Sequence, residues 1–237
     1  MASRARKTPP KLNKSFKNPI DGEKYEIITL RSVRRNSRIY RGFIDIQQNI
    51  FKKHARGIPK MISHVKDGNP VEHKKDFTEA KGYILIHHIN GDKKAVGGFL
   101  LDIKKKEGER GEFNIYLLFN VAISDEPDES DPLLTKYQGK RLSSILNDFV
   151  KSLLGPDDIC LTEIDLEGDA DKIERLRASY ASRGFIIHEQ LDGIDIRTNR
   201  TTLRHNPWEN IKYRNNQLKL KAPDYYHKEK RRSNRGR

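Results

Sequence analysis

The chain has 237 residues, of which 35% are hydrophobic and 34% are charged, and its formal net charge is +14. The single cysteine, Cys160, excludes an internal disulfide, and no apolar run approaches the roughly 18 residues that a membrane-spanning helix needs. No cysteine pair and no clustered histidines are present, so we expect no metal site.

The positive charge lies at the two ends of the chain. Residues 1–18 carry six basic side chains and no acid, and residues 211–237 carry ten basic side chains against two acids. Residues 19–210 are therefore formally neutral. No apolar stretch follows the basic N-terminus, so we expect an intracellular protein, cytoplasmic or nuclear, and not a secreted one.

The first part of the chain predicts a lead-in, a strand and one or two helices. Residues 1–22 are basic and polar and are predicted to be flexible. Residues 25–30 alternate and are β-branched, which predicts a strand. Residues 37–54 have apolar side chains at helical spacing, and residues 60–78 are compatible with a second helix.

Three strands are predicted next. They cover residues 82–89, 95–103 and 113–123, and the Asn90-Gly91 pair between the first two is a strong signal for a tight turn. Together they predict an antiparallel meander. The third is long and nearly all apolar, which indicates a central strand buried on both faces.

An acidic, proline-bounded loop follows at residues 125–131. Its five carboxylates would attract a cationic acceptor such as a lysine-rich peptide or a polyamine. The same composition is typical of a solvated surface loop, and the sequence leaves both interpretations open.

The remaining elements alternate between helix and strand. Helices are predicted at residues 142–154 and 170–183, a strand at 159–166, and a final hairpin from 185–188 and 194–197. The whole order predicts an α/β fold with a mixed sheet.

Two local patches within this order resemble the GNAT family of acetyl-CoA-dependent acetyltransferases. Residues 137–146 read Tyr-Gln-Gly-Lys-Arg-Leu-Ser-Ser-Ile-Leu and are similar to the family's pyrophosphate loop, and residues 180–185 match its Tyr-x-x-x-Gly-Phe helix ending. The resemblance spans about residues 23–204. It implies a GNAT-like acyl-CoA N-acyltransferase fold over residues 23–206, with basic tails on both sides, the second at 207–237.

The first patch implies an acetyl-CoA site, because a helix N-terminus offers unpaired amides and a partial positive charge to a diphosphate. Arg141 and Ser143 stand where the family has glycine, and glycine or alanine. The residues that the resemblance places on the diphosphate are Gln138, Gly139, Lys140, Arg141, Leu142, Ser143 and Ser144. Those that it places on the pantetheine arm are Asn120, Val121 and Ala122.

The second patch implies catalytic residues. The resemblance makes Tyr180 the acid that protonates the CoA thiolate, although an aromatic side chain at this place could simply pack under the sheet. Glu163 and Asp165 alternate with Ile164 and so share one face of their strand. Either could remove the proton of the acceptor amine, directly or through water, or be a solvated edge charge. The asparagine that often precedes the tyrosine in the family has no clear counterpart among residues 170–176.

Two functions are therefore compatible with the sequence. The first is direct transfer of an acetyl group from acetyl-CoA to a primary amine of a protein lysine, an N-terminus or a polyamine. The second is a catalytically inactive scaffold of the same fold, which binds RNA, DNA or a nucleoprotein assembly through its tails. The cations that we assign to nucleic acid are Lys228, Lys230, Arg231, Arg232, Arg235 and Arg237. The sequence does not indicate an oligomeric state.

Overall fold

The structure is a computed structural model that describes residues 14–71, 77–108, 111–129, 135–155, 157–166, 169–191, 194–200, 212–213 and 218–219. Its strands are β1 (Lys14–Lys17), β2 (Lys24–Thr29), β3 (Glu79–Ile89), β4 (Asp92–Gly108), β5 (Gly111–Ile123), β6 (Ile159–Asp165), β7 (Ile186–Leu191), β8 (Ile194–Arg200), β9 (Lys212–Tyr213) and β10 (Leu218–Lys219). Its helices are α1 (Arg38–Ile50), α2 (Ile58–Lys66), α3 (Leu142–Leu153) and α4 (Ala170–Ala181), with short 3₁₀ helices at Leu30–Ser32 and Lys52–His54.

Eight of these strands form one sheet in the order β1-β2-β3-β4-β5-β6-β8-β7, and β9 pairs with β10. The β5–β6 pair is parallel, whereas β1–β2, β2–β3, β6–β8 and β7–β8 are antiparallel. A mixed sheet accompanied by helices confirms the predicted α/β class. No helix among the described residues is both long and apolar enough to cross a membrane.

Local chemistry sets several element boundaries. The Ser37 side chain accepts a hydrogen bond from Tyr40 N at 3.2 Å and caps α1. The Asp169 side chain caps α4 in the same way, through Asp171 N at 2.9 Å. The β3–β4 turn has positive φ at Asn90 and Gly91, 50° and 87°, as the predicted tight turn requires.

The chain divides into two compact units. The first comprises the described parts of Met1–Asp67, Lys81–Leu100 and Asn120–Leu153. Its core contains Tyr83, whose ring packs on Phe99 at 5.1 Å and on Phe149 at 5.2 Å between centroids. Gly98 has φ +151°, and a Cβ there would lie 2.2 Å from the Tyr83 carbonyl oxygen, so only glycine fits this close approach of backbone.

The second unit comprises the described parts of Gly68–Ala80, Leu101–Phe119 and Leu154–Arg237. Its apolar core comes from β5, β6 and β8 together with Phe77. The buried members are Phe77, Phe113, Ile115, Leu117, Ile159, Leu161 and Ile196. Arg177 Nε of α4 donates to Asp195 Oδ2 of β8 at 2.8 Å, which ties the helix to the sheet.

The described elements lie close to the predicted ones, with two additions: strand β1 at the start of the chain, and the β9–β10 pair within the predicted 207–237 tail. Residues 14–17, which the sequence analysis included in the lead-in, form strand β1. They pair with β2 from Lys14↔Ile27 to Lys17↔Lys24. The α2 helix covers the first part of the 60–78 segment, and residues 72–76 lie outside the described part of the chain.

Candidate functional site

In the loop before α3, the backbone φ angle changes sign from one residue to the next. Gly139 has φ +74° and Arg141 has φ +53°, whereas Lys140 between them is not among the positive-φ residues. Successive residues of opposite φ turn neighbouring N–H groups towards one side, which makes a concavity suited to an anion. Nothing lies within 4 Å of a Cβ built on Gly139, so a side chain would not clash there. Glycine is favoured at this position by its positive φ alone.

The N-terminus of α3 follows this loop directly. Ile145 N donates to Arg141 O at 3.1 Å, which makes Arg141 the residue that caps the helix. The amides of Leu142, Ser143 and Ser144 precede the first intrahelical donor, and the first turn contains no acidic side chain. This helix end therefore presents donors and a partial positive charge with no carboxylate of its own to offset them.

The side chains of the loop differ in their hydrogen bonds and in their exposure. Gln138 Oε1 accepts a hydrogen bond from Thr135 N at 3.3 Å, so the glutamine shapes its own turn. Arg141 is exposed, and the described residues give its side chain no hydrogen bond or ion pair. Ser143 and Ser144 are half-buried. The predicted diphosphate residues thus form one continuous segment, with Arg141 as its exposed cation.

The hairpin of β1 and β2 anchors the loop at Lys140. Asn18, fully buried, donates through Nδ2 to Lys140 O at 3.1 Å, and Lys140 Nζ lies 3.2 Å from Asp21 Oδ2. Burial alone would raise the pKa of Asp21, but hydrogen bonds from Glu23 N, Tyr25 Oη and Lys140 outweigh it and lower the pKa. Asp21 therefore stays ionised and holds the lysine, so both the backbone and the side chain of Lys140 are fixed.

A buried aromatic cluster lies at the base of this anchor. The His87 ring stacks on Tyr25 at 4.5 Å between centroids, and His87 Nδ1 is 3.4 Å from Tyr137 Oη. Burial lowers the pKa of His87, which keeps the imidazole neutral near pH 7, and burial raises the pKa of Tyr137. Lys140 Nζ is 5.6 Å from the centroid of the Tyr137 ring. The cluster supports the loop by packing and is not itself ionised.

Sequence reasoning missed Asn18 and Asp21. Asn18-Pro19 and Asp21-Gly22 are turn signals that, with the pattern of residues 14–17, could have predicted a hairpin. Their contact with residue 140 has no signal in the sequence, because Asn18 and Lys140 are 122 residues apart.

The predicted pantetheine residues also lie in the first unit. Asn120 lies within β5 and has φ +52°, and its carbonyl accepts a hydrogen bond from Gln47 Nε2 at 2.9 Å. Gln47, on α1, is fully buried. Val121 is half-buried and Ala122 is buried. One acceptor position of the Asn120 carbonyl is therefore used within the protein, a contact that sequence patterns did not predict.

Tyr180 lies in the second unit, in the last turn of α4. Its ring packs edge-on against Phe185 at 5.3 Å between centroids, and Phe185 N donates to Tyr180 O at 3.1 Å. Burial raises the pKa of Tyr180, and a hydrogen bond with the Thr162 side chain partly offsets this. Thr162 Oγ1 also donates to Leu118 O at 3.1 Å, at the last pair of the parallel β5–β6 ladder. The phenol therefore stays protonated well above neutral pH.

The two carboxylates predicted as bases lie on β6. Glu163 is paired in register with Ile196 and Asp165 with Ile194, both on β8. Ile164 between them is buried, Glu163 is half-buried and Asp165 is exposed. The shared face that the alternation predicts agrees with this burial pattern.

Other predicted features are engaged elsewhere or lie outside the described residues. In the acidic loop, Glu126 pairs with Lys94 at 2.6 Å, and residues 130–134 are not described. The predicted nucleic-acid cations between Lys228 and Arg237 all lie outside the described residues. Within the described ranges, no group of three or more His, Cys, Asp or Glu is placed to hold a metal ion.

No protein-family model matches the chain, and no curated protein sequence matches it. Among solved structures, the chain is similar to the NatC complex bound to Gag peptide and CoA, with 12% identity, 74% of this chain and 99% of that chain covered, and a TM-score of 0.43. It is also similar to PH1933 from Pyrococcus horikoshii OT3, with 12% identity, 75% and 99% coverage, and a TM-score of 0.42. An acetyltransferase from Trypanosoma brucei gives 13% identity, 70% and 96% coverage, and a TM-score of 0.41. A shared activity does not follow from likeness at this level.

Proposed function

We propose that the chain is a GNAT-type N-acetyltransferase that binds acetyl-CoA and transfers its acetyl group to a primary amine. The observation that carries the proposal is the loop before α3. Its alternating φ at Gly139, Lys140 and Arg141 leads directly into a helix N-terminus with no acidic side chain in its first turn. A fold can serve many functions, so the proposal rests on this site.

The loop suits a diphosphate for three physical reasons. The amides of Leu142 and Ser143 have no intrahelical acceptor, so they can donate to phosphate oxygens. The Arg141 guanidinium adds a full positive charge beside them and can bind phosphate through two N–H groups. The bonds from Asn18 and Asp21 hold Lys140 in place, so little order has to be gained on binding.

When bound, acetyl-CoA supplies an acetyl group activated as a thioester. In the proposed reaction the acceptor amine attacks the acetyl carbon and the bond to sulfur breaks. Tyr180, whose raised pKa keeps it protonated, gives its proton to the departing thiolate. Glu163, Asp165 or water takes the proton that the amine loses. Both residue roles come from the family resemblance.

The acceptor that we propose is a cationic amine, in a basic peptide or a polyamine. The acidic loop supports this choice through its charge, although the Glu126–Lys94 pair already uses one of its carboxylates.

Thermal unfolding with and without ligand tests the proposal. Acetyl-CoA at one hundred times its dissociation constant should stabilise the chain by about 2.7 kcal/mol. That corresponds to a melting temperature higher by about 5–11 °C for a chain of this size. A Ser143→Trp variant should lose the shift because the indole fills the space at the amides. Ser152→Trp, which places the same side chain near the other end of α3, should keep it. No shift at millimolar acetyl-CoA would contradict the proposal.

The second candidate is an inactive scaffold of the same fold. The observations that favour it are the strained Arg141 in a glycine position and the engagement of the Asn120 carbonyl by Gln47. Thiol release from acetyl-CoA, measured with a lysine peptide, an N-terminal peptide and spermidine as acceptors, separates the two. Binding without acetylation of any acceptor would favour the scaffold.

A further inference from the structure

Residues 31–41, which run from the 3₁₀ helix after β2 into the first turn of α1, carry five arginines in eleven residues. These residues, here named the arginine patch, are Arg31, Arg34, Arg35, Arg38 and Arg41. All five are exposed, and no acidic residue occurs between residues 31 and 41. The patch lies within residues 19–210 and so belongs to neither of the two basic tails.

The backbone beneath the arginine patch is fixed. Lys66 Nζ donates to Leu30 O and Arg31 O, each at 3.1 Å, and also to Val33 O. Arg41 Nη2 donates back to Asn36 O at 3.3 Å, and Ser37 caps α1. The Lys66 hydrogen bonds and the cap of α1 fix the backbone of this turn, so the arginine side chains project from an ordered surface.

The local charge is strongly unbalanced. Residues 31–60 hold nine Lys and Arg side chains and one acid, Asp45, a net charge of +8. Within the described contacts of the patch there is one ion pair, Arg35–Asp67 at 2.6 Å. Burial lowers the pKa of Lys66, the positive charge of Arg35 lowers it further, and the Asp67 carboxylate partly offsets both. The four other arginines of the patch have no such acid beside them among the described contacts, so the surface attracts anions.

We propose that the arginine patch binds the phosphodiester backbone of a nucleic acid. Guanidinium groups bind phosphates through two N–H donors, and the first turn of α1, which has no acidic side chain, adds amides to the same surface. Protein interfaces centre on exposed apolar anchors, and none of the large exposed hydrophobic side chains of the described chain falls in residues 31–41. A polar, strongly cationic surface without such anchors fits a phosphate backbone.

The test measures how the affinity for nucleic acid depends on salt concentration in the full chain. A triple variant, Arg31→Gln, Arg34→Gln and Arg38→Gln, leaves the Arg35–Asp67 pair and the Arg41–Asn36 bond in place. The matched control removes three exposed lysines elsewhere, through Lys24→Gln, Lys105→Gln and Lys172→Gln, with the same change in net charge. Single-stranded RNA and duplex DNA are titrated separately, which distinguishes the two sources of phosphodiester.

Each lost phosphate contact lowers the slope of log affinity against log salt by about 0.7 for single strands and about 0.9 for duplex DNA. The triple variant should therefore lose about 2 units of slope on RNA, or about 2.7 on DNA, and the lysine control should keep the wild-type slope. If the triple variant fails to fold, the single variants should each lower the slope by about 0.7 on RNA.

Three results would overturn the proposal. One is a wild-type chain that binds neither nucleic acid. Another is a triple variant with an unchanged slope, which would place binding in the tails. The third is a wild-type chain that prefers a polyglutamate peptide of equal charge to RNA and DNA, which would assign the patch to an acidic protein partner.

Discussion

Replacing Arg141 by glycine tests two properties of the loop at once. Arg141 has φ +53°, a conformation that costs an ordinary L-residue about 1–2 kcal/mol and costs glycine almost nothing. Glycine also loses about 0.5–1 kcal/mol more entropy on folding than alanine does. The expected net effect of Arg141→Gly is an increase of about 0.5–1 kcal/mol in the free energy of unfolding, or about 1–4 °C in melting temperature.

The same change removes the exposed guanidinium from the proposed diphosphate site. Hydrogen bonds to charged groups contribute about 1.5–3 kcal/mol, and solvent screens an exposed side chain towards the lower end of that range. We expect the affinity for CoA to fall about tenfold, which corresponds to about 1.4 kcal/mol. Arg141→Ala is the matched control, because it removes the same charge and keeps a Cβ in the unfavourable conformation.

Chemical denaturation and calorimetric titration of CoA measure both effects. Arg141→Gly should be more stable than Arg141→Ala, and the two variants should bind CoA equally weakly. Equal stability of the two variants would refute strain at residue 141. Wild-type affinity in both would show that the guanidinium does not contact the diphosphate.

Three further variants test other parts of the account. Asn18→Ala should speed amide hydrogen exchange at Gly139–Ser144 in the free protein and weaken CoA binding, because Lys140 O loses its buried donor; unchanged exchange would contradict the anchor. Tyr180→Phe should lower kcat by about 10²–10⁴-fold with little change in CoA affinity. The wild-type enzyme should stay active at alkaline pH until the raised pKa of Tyr180 is reached. A fully active Tyr180→Phe variant would remove the catalytic role of this residue. Lys66→Met should cost about 2–3 kcal/mol in unfolding free energy, since three carbonyls lose a charged donor, whereas exposed Lys52→Met should change it by less than about 0.5 kcal/mol.

The sequence predicted the fold class well because most elements carry strong local signals. The apolar spacing of residues 142–154, the Asn90-Gly91 turn and the long apolar run of β5 each indicate one type of structure with little competition. Strand β1 was missed because a four-residue strand with two lysines has almost no periodicity, and its stability comes from pairing with β2.

For the proposed diphosphate site, the sequence predicted which segment of the chain forms it but not the contacts that fix that segment. The patch at residues 137–146 carries its own signature, so the loop and the start of α3 could be placed from sequence. The contacts that fix it could not be, because Asn18–Lys140, Gln47–Asn120 and His87–Tyr137 join residues at least 50 positions apart. Such contacts are set by tertiary packing, which no local pattern encodes.

The departure at Arg141 illustrates the same limit. From sequence, Arg141 was only a departure from the glycine that the resembled family has at this position. The structure adds that this arginine adopts the left-handed backbone that glycine would adopt, with its side chain exposed. The backbone of the loop is thus kept at the cost of strain, and the guanidinium does not lie buried in it.

The most direct test of the central claim follows the backbone amides of residues 139–144 by NMR during titration with CoA, ADP and acetyl-pantetheine. We predict that CoA and ADP, which contain a diphosphate, shift the amide signals of Leu142 and Ser143, and that acetyl-pantetheine, which lacks one, leaves them in place. Signals of this segment that stay unchanged at saturating CoA, or that move equally with acetyl-pantetheine, would contradict a diphosphate site at the start of α3.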